Sequence, residues 1–498
     1  MRSPDPWIHG RPEAGSGAPD PAEVFARAHE TVRDEVDVEL DVVEGAIPRE
    51  LAGVYFRNGP GRVEIGGERY GHLFDGDGMV LRFAIGEGRV RYRNRYVRTR
   101  EFLDEERKGR IHHRGFGTAR PGGLRANLLR TRIKNAANTA VVAHAGRLYA
   151  LWEGGWPHRL DPETLETIAR DDLGGLLQCD SRLARAAGAE LPFAAHPAVD
   201  PRSGELWGFG VVFGVRTRLV LYRIAADGTP LERRFVELPR AAFVHDVVLT
   251  ERWAIFVIPP IAFAVGPALL GVVTPAQSLR CDPSRACSVL LVPRDGSPPR
   301  SLTTRPLFAF HHLGGWEQGP RTLVLHTLRM DDIDLGALKA LDPAAIRSRR
   351  VIPARPTRLT IDLGRGRVDE EPWIDVDVEL PTTDPRRRGR ALRHAWCIAR
   401  PTGWTVLSHP AIAKIDLVAR RAELRDLRPD LPGEPLFVPR SGGCDEDDGW
   451  LLTVVYRARE HRSELWILDA RDLSTLARAV LPHHVPPGFH GCFVPRRA

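Results

Sequence analysis

The chain has 498 residues and a net charge of +7, carried almost wholly by arginine, since the only lysines are Lys108, Lys134, Lys339 and Lys414. Sixty-four acidic residues accompany that excess, so the surface is mixed rather than a polycationic face, and no nucleic-acid partner is expected. Six scattered cysteines with no CxxC pair argue against a disulfide framework and against a zinc site.

The N-terminus, "MRSPDPWIHGRPEAGSGAPDP", lacks an apolar stretch after its basic start, so no secretory signal is read and the expected location is cytoplasmic. Residues 1–20 read as a loose tail and residues 21–498 as one domain, because no long linker divides the remainder. Helical pattern is confined to short pieces such as Pro21 to Glu35 and Leu335 to Ser348.

Elsewhere the signal is alternation over short runs bounded by Gly, Pro or Asp turns, as in "RVRYRNRYVRT", "RLVLYRI", "SVLLVPRDG", "RLTIDLGRGRV" and "GWLLTVVYRA". The chain is therefore all-β and built from hairpins. "LDPETLET" (Leu160 to Thr167) and "LDARDLST" (Leu468 to Thr475) agree at four of eight positions, and "RIAADGTP" and "TIDLGRGRV" are looser versions of that turn. Repeated strand, acidic turn and strand units over such a length favour a β-propeller over a large sandwich or two β-domains.

The twenty residues Ala254 to Val273, "AIFVIPPIAFAVGPALLGVV", carry no charge, which is long enough to span a bilayer. Pro259, Pro260 and Pro267 interrupt them, and Ile255 to Ile258 reads as the end of a strand begun near His245. The segment is thus either a buried connection or an exposed apolar lip that docks on a membrane surface. Two arginine clusters, Ile346 to Arg350 and Asp384 to Arg393, read as solvated loops, with a patch for phosphate or anionic lipid as the alternative. "FDGDGM" (Phe74 to Met79) begins like a calcium loop, but its twelfth position counted from Asp75 is Gly86 rather than glutamate, so it reads as a tight turn.

Four histidine settings stand out among eighteen: His196 in "FAAHPAVDP", His245 in "AFVHDVVLT", the pair His311 and His312, and His490 in "PPGFHGCFVP". Each lies in an apolar, strand-like context. No pair has the spacing of a one-helix metal motif, so only the fold can bring them to one ion. The inner strands of a propeller, which point side chains at the central axis, can do so.

The strings "GVYFRNGP" (Gly53 to Pro60), "HLFDGDGM" (His72 to Met79), "NAANTAVVAHAGRLYALWEGG" (Asn135 to Gly155), "AHPAVDP" (Ala195 to Pro201), "VHDVVLTE" (Val244 to Glu251), "GEPLFVPR" (Gly433 to Arg440), "EDDGWLLTVVY" (Glu446 to Tyr456) and "PPGFHG" (Pro486 to Gly491) together resemble the carotenoid cleavage oxygenases. That family also contains the vertebrate retinoid isomerase and bacterial stilbene-cleaving dioxygenases. The resemblance runs from about Ile47 to the C-terminus.

It implies a seven-bladed propeller, capped by short helices and loops, with one Fe(II) per chain on its axis. The implied ligands are His196, His245, His311 and His490, with Glu153, Glu379 and Glu434 accepting hydrogen bonds from three of them. Taken in order, these seven positions step by 43 to 68 residues, averaging about 56, which suits one blade each. The implied reaction is insertion of both atoms of O2 across a conjugated C=C of a lipophilic polyene, giving two carbonyl fragments. Stilbene-cleaving members resemble "LKED" where this chain has Trp152 in "LWEGG"; the lost lysine favours a carotenoid or apocarotenoid over a hydroxystilbene. A propeller that binds an apolar ligand without turnover is the reading of another class.

Two details of the resemblance concern the paired histidines. Counting back from Trp316 and Glu317 selects His311 as the ligand and leaves His312 to the blade packing or a loop. Gly314 and Gly315 replace the family's usual Asn-Ala, a departure expected to reshape the pocket beside His311 and the substrate preference. The resemblance also favours the apolar lip for the 254–273 segment, since family members draw polyenes through an apolar entrance that can rest on a membrane.

Overall fold

A computed structural model describes residues 7–9, 19–130, 132–186, 189–213, 216–240, 242–333 and 342–496. Seven largely antiparallel sheets form the seven blades of a propeller, with middle strands such as Cys287–Pro293 and His394–Arg400 buried on both faces, outer strands such as Arg89–Tyr96 alternating, and only short helices among the described residues. Counted from the axis, blade 2 comprises Ala140–His144, Arg147–Leu151, His158–Leu160 and Thr167–Arg170. Blades 3, 4 and 5 begin on the inner strands Ala198–Val199, Val248–Leu249 and His312–Glu317. Blade 6 begins on Asp377–Thr382, and blade 7 on Leu431–Pro432 and Leu436–Pro439.

Both ends of the chain close the ring. The last strand, Gly491–Pro495, is the inner strand of blade 1, where Gly491 pairs with Arg57 and Pro495 with Gly53. The early strand Asp41–Gly45 covers the outer strand Thr475–Val480 of blade 7. Each end removes a sheet edge that would otherwise present unpaired N–H and C=O groups. Trp7–His9 adds a parallel strand to the outside of blade 6, while residues 1–6 and 10–18 of the expected tail lie outside the described residues.

The weak internal repeat marks one place in the blade. All four of its turns join the third strand to the fourth, in blades 2, 3, 5 and 7. In the two closest copies Leu165 and Leu473 adopt the left-handed conformation, at φ 59° and 61°. Their N–H groups donate to the carbonyls of Asp161 and Asp469 at 2.8 and 2.9 Å. Apolar faces then stack blade on blade; between blades 6 and 7 the Trp396 ring lies 4.4 Å from that of Phe437, and its indole N–H donates to the Ala470 carbonyl.

Three expectations change in detail. The helix starting at Pro21 ends at Ala28, and of the second helical piece only Pro343–Arg347 lies among the described residues as helix; Leu335 to Leu341 fall outside them. The strand expected to run from His245 to Ile258 is broken by the turn at Thr250–Arg252 into Val248–Leu249 and Trp253–Ile258. The twenty-residue apolar segment is therefore divided: its first part is a buried strand of blade 4, and the rest forms the hairpin strand Ile261–Phe263 and the helix Val265–Leu269.

The calcium-like motif has a different use. Asp75 accepts hydrogen bonds from the N–H groups of Phe116 and Gly117 and from the Thr118 hydroxyl at 2.6 to 2.9 Å. Asp77 meets Arg62 at 2.7 Å and Lys134 at 2.6 Å. Both carboxylates are consumed by protein donors, and Asp75 fixes the loop that carries Phe116 to the loop that carries Phe74.

Lys134 also meets Glu105 at 2.9 Å, and Glu105 accepts the N–H groups of His112 and His113, each at 2.9 Å. Burial alone would raise the Glu105 pKa, but Lys134 and the two backbone donors overcome it and hold the carboxyl at about 2, below its ordinary 4.5. Because the folded-state pKa is depressed, this group stabilises the fold above the unfolded value, and its contribution disappears as pH falls toward 2. Urea midpoints at pH 7 and pH 3 check this: Glu105→Gln is expected to be less stable than the parent at pH 7, and the difference should shrink at pH 3.

Candidate metal centre

Propeller geometry gathers side chains that the sequence keeps far apart. His196, His245, His311 and His490 each lie just ahead of an inner strand, and one ring nitrogen from each falls within 4.8 Å of the others. The His196 ring stands 4.4, 5.1 and 4.3 Å from those of His245, His311 and His490. No acidic residue belongs to this group.

The three glutamates lie behind the rings. Glu379 accepts a hydrogen bond from Nδ1 of His311 at 2.6 Å, and Glu434 accepts one from Nδ1 of His490 at 2.8 Å. Glu153 lies 2.7 Å from Nδ1 of His245, short but poorly aligned for a hydrogen bond. His196 has no carboxylate partner among the described residues, and its Nε2 is buried without one.

These contacts set what the centre can hold. A proton placed on Nδ1 by each glutamate leaves Nε2 of His311 and of His490 as lone-pair acceptors, yet the two nitrogens stand 3.2 Å apart. Two lone pairs at that distance repel unless an electrophile lies near both. The orphaned Nε2 of His196 asks for the same thing. Burial drives the His196 pKa well below 6.5, reinforced by the neighbouring imidazoles of His490, His245, His311 and His312. At His311 burial acts in the same direction but is outweighed by Glu379, so its pKa is raised. Four imidazoles with three carboxylates behind them fit a divalent transition metal: neutral nitrogen donors suit iron, and the carboxylates offset its charge.

The doublet is resolved by register. His312 starts the inner strand of blade 5, pairs with Thr327 and places Nδ1 2.9 Å from the Thr327 hydroxyl. A bulge between His312 and Gly314 follows, so the chain turns only His311 toward the axis.

Residues preceding the histidines build an aromatic cluster on one side of the centre. Phe310 stands 5.3 Å from the His245 ring, Phe243 stacks on that ring at 6.1 Å, and Phe308 meets Phe310 at 4.8 Å. Phe74 bridges Phe489 and Phe116 at 5.5 and 6.2 Å. Residues following the histidines line a cavity on the other side, and Gly314 and Gly315 belong to that wall. The glycine pair thus borders a cavity beside His311, on the side of the centre away from the aromatic cluster. Gly314, at φ 148°, faces Leu392, and Gly315 packs against Val248 and the Val324 carbonyl, away from the aromatic cluster.

One residue at the centre carried no signal in its type. Six of the seven predicted positions lie in or just ahead of inner strands, whereas Glu153 follows the second strand of blade 2. The position ahead of that blade's inner strand is Thr139, whose carbonyl accepts the His490 N–H at 3.1 Å. It precedes His196 by 57 residues, closer to the mean blade step than Glu153.

Arg114 ties down the outer rim of the aromatic side. Its guanidinium donates to the carbonyls of Arg130, Ala268 and Val273 at 2.6, 3.1 and 2.8 Å. Two apolar stretches thus stand side by side, with Leu124, Leu128 and Leu129 on one and Leu270 and Val272 on the other; Leu129 and Val272 are 69% and 64% exposed.

The comparisons agree with this architecture. The family described as retinal pigment epithelial membrane protein matches residues 26–495. Apocarotenoid-15,15'-oxygenase of Synechocystis is 36% identical over 94% of this chain and 95% of its own length. Isoeugenol monooxygenase of Pseudomonas nitroreducens is 29% identical over 93% of this chain and 95% of its own. The crystal structure of cobalt-substituted Synechocystis ACO superposes with a TM-score of 0.88 at 34% identity, covering 95% of this chain and 99% of that one. With the propeller, the converging histidines and likeness along nearly the whole chain, this protein belongs to the retinal pigment epithelial membrane protein family, the carotenoid cleavage oxygenases.

Proposed function

We propose that this enzyme is an Fe(II) dioxygenase that cleaves a conjugated double bond of a carotenoid or apocarotenoid. The observation that carries the reading is the set of four imidazoles at one end of an aromatic cluster, with no acidic residue in the set. His196, His245, His311 and His490 would hold the iron; Glu153, Glu379 and Glu434 would orient three of them. When bound, iron supplies the redox chemistry by which one O2 and one C=C become two C=O groups.

The chain's own residues do the rest. Phe74, Phe116, Phe243, Phe308, Phe310 and Phe489 present flat apolar faces that exclude water and hold a polyene with one bond at the centre. The glutamates keep the imidazole protons on Nδ1, so that Nε2 stays available. The reaction as balanced releases no proton, and no general acid or base is assigned. Trp152 is buried where stilbene-cleaving relatives carry lysine, which supports a substrate without a phenolic hydroxyl.

Aerobic incubation of iron-loaded protein with carotenoids, apocarotenoids, 4-hydroxystilbenes and isoeugenol, followed by mass spectrometry, tests the assignment. Paired carbonyl fragments labelled by 18O2 are expected from polyenes. Products from a hydroxystilbene or isoeugenol alone would overturn the substrate class, and unlabelled isomerised product would overturn the reaction.

No helix among the described residues is long and apolar enough to cross a membrane. The exposed leucine and valine rim clamped by Arg114 supports peripheral contact with a bilayer instead, from which a lipophilic substrate is drawn. In vesicle flotation, the Leu270→Ser, Val272→Ser double variant is expected to lose most binding while retaining the parent's iron content.

A further inference from the structure

The arginine-rich stretch Asp384–Arg393, expected to be a solvated loop, folds across the end of the propeller axis away from the aromatic cluster. Arg386 donates to the Gly443 carbonyl of blade 7 at 2.9 Å. Gly389 packs on Leu249 and Thr250 of blade 4, and Leu392 on Gly314 of blade 5. Arg388 reaches blade 3, where it donates to the Val199 carbonyl at 3.0 Å. The loop thereby forms one side of an open well of about 1060 Å³ whose wall includes His196, His311 and His490.

Four arginines line this well, Arg386, Arg388, Arg440 and Arg496, the last of them just beyond the inner strand of blade 1, and they differ in how they are used. Arg386 is paired with Asp384 at 2.8 Å, and Arg440 with Asp448 and Asp469 at 3.0 and 3.2 Å. Among the described residues Arg388 has no ion pair, and its contact with Val199 is its single hydrogen bond. The nearby acids are committed elsewhere. Asp200 is paired with Arg294 and accepts the Arg202 N–H, and Asp246 accepts the N–H groups of Val247 and His312 at 2.7 and 3.0 Å. Arg388 lines the well and is itself exposed, so its guanidinium can be reached from solvent.

We propose that this axial well is a binding site for a small oxyanion, a carboxylate or phosphate, held by Arg388. A guanidinium has five N–H donors in a fixed fork, and here one is used. The free edge suits two parallel N–H···O bonds to one oxyanion. Gly314, Gly315 and Gly389 leave the adjoining wall without side chains. A chloride ion offers one acceptor atom and cannot form two parallel bonds to the fork, so a preference for oxyanions over chloride separates the site from charge screening.

The test is thermal unfolding of metal-loaded protein titrated with acetate or phosphate against chloride at equal ionic strength, with metal content followed throughout. A saturable rise of about 2–3 °C is expected at a hundredfold excess over Kd. In Arg388→Met the apparent affinity should fall at least tenfold, and Arg388→Lys should not restore it. A response to acetate alone or phosphate alone assigns the oxyanion. Equal shifts in parent and Arg388→Met, as expected for an anion binding at the metal, would overturn the site. Should Arg388→Met fail to fold, crystals of the unaltered protein soaked in selenate or bromoacetate provide the second reading. An anomalous peak within hydrogen-bond distance of Arg388 supports the site, and its absence there overturns it.

Discussion

His311→Ala is expected to abolish iron binding, whereas His312→Ala should retain nearly one iron per chain. The two residues are adjacent, so composition, local charge and blade packing change similarly in both variants. Only His311 contributes a nitrogen to the axial group, and its Nε2 stands 3.2 Å from that of His490. Its loss leaves three imidazoles and a carboxylate, Glu379, without its hydrogen-bond partner. His312 instead places Nδ1 on the Thr327 hydroxyl, and its N–H on Asp246, a contact that alanine keeps. Metal content by plasma emission, with urea midpoints to exclude unfolding, gives the comparison. Equal iron loss in the two variants would remove the assignment of His311.

The second large effect is expected at the glutamate behind that histidine. Glu379→Gln should lower iron affinity roughly 10- to 100-fold, the usual cost of losing such a partner. Its carboxylate does two things at once: it takes the His311 Nδ1 proton at 2.6 Å and accepts the Leu380 N–H at 3.0 Å. Leu380 has φ 50°, an uncommon conformation for leucine, inside a strand whose register shifts between Glu379 and Thr382. Charge and strand shape therefore converge on one side chain. Glu434→Gln should behave similarly, since Glu434 accepts from both His490 Nδ1 and the Gly491 N–H at 2.8 Å. Competition against a chelator of known affinity measures both. Unchanged affinity in both variants would show that the carboxylates play no part in holding the metal.

Why the sequence was legible where it was follows from the periods involved. Alternation of two residues is a local property, so a strand such as Arg89–Tyr96 coincides with its expected run, while Arg218–Ile224 and Gly449–Arg457 were legible as short apolar runs bounded by turn residues. The repeat was readable because its turn needs an Asp to receive backbone N–H groups and a residue in the left-handed region, a demand met at Asp161 and Asp469. Thr139 was not readable, because it acts through its backbone carbonyl, which every residue has. The acidic loop beginning at Phe74 misled for a related reason. Asp75 and Asp77 are spaced as cation ligands, and only the arrival of residues 116–118 and of Lys134 from elsewhere in the chain shows that protein donors occupy them.

By itself, the sequence determined the all-β class, the hairpin repeat and the histidines in strand-like settings, since each depends on residues near one another in the chain. Its resemblance to the oxygenases supplied the blade number and the choice of His311. Only the tertiary structure decided which face of the centre each neighbour meets: residues before the histidines rise into the aromatic cluster, and residues after them descend into the axial well. That division placed Gly314 and Gly315 away from the aromatic cluster and brought Arg388 of the arginine run into the wall of the axial well. Ring closure is the physical reason. Seven blades converge on one line only after the last strand pairs with the first blade, so any contact across that line joins residues whose separation in the chain carries no local signal.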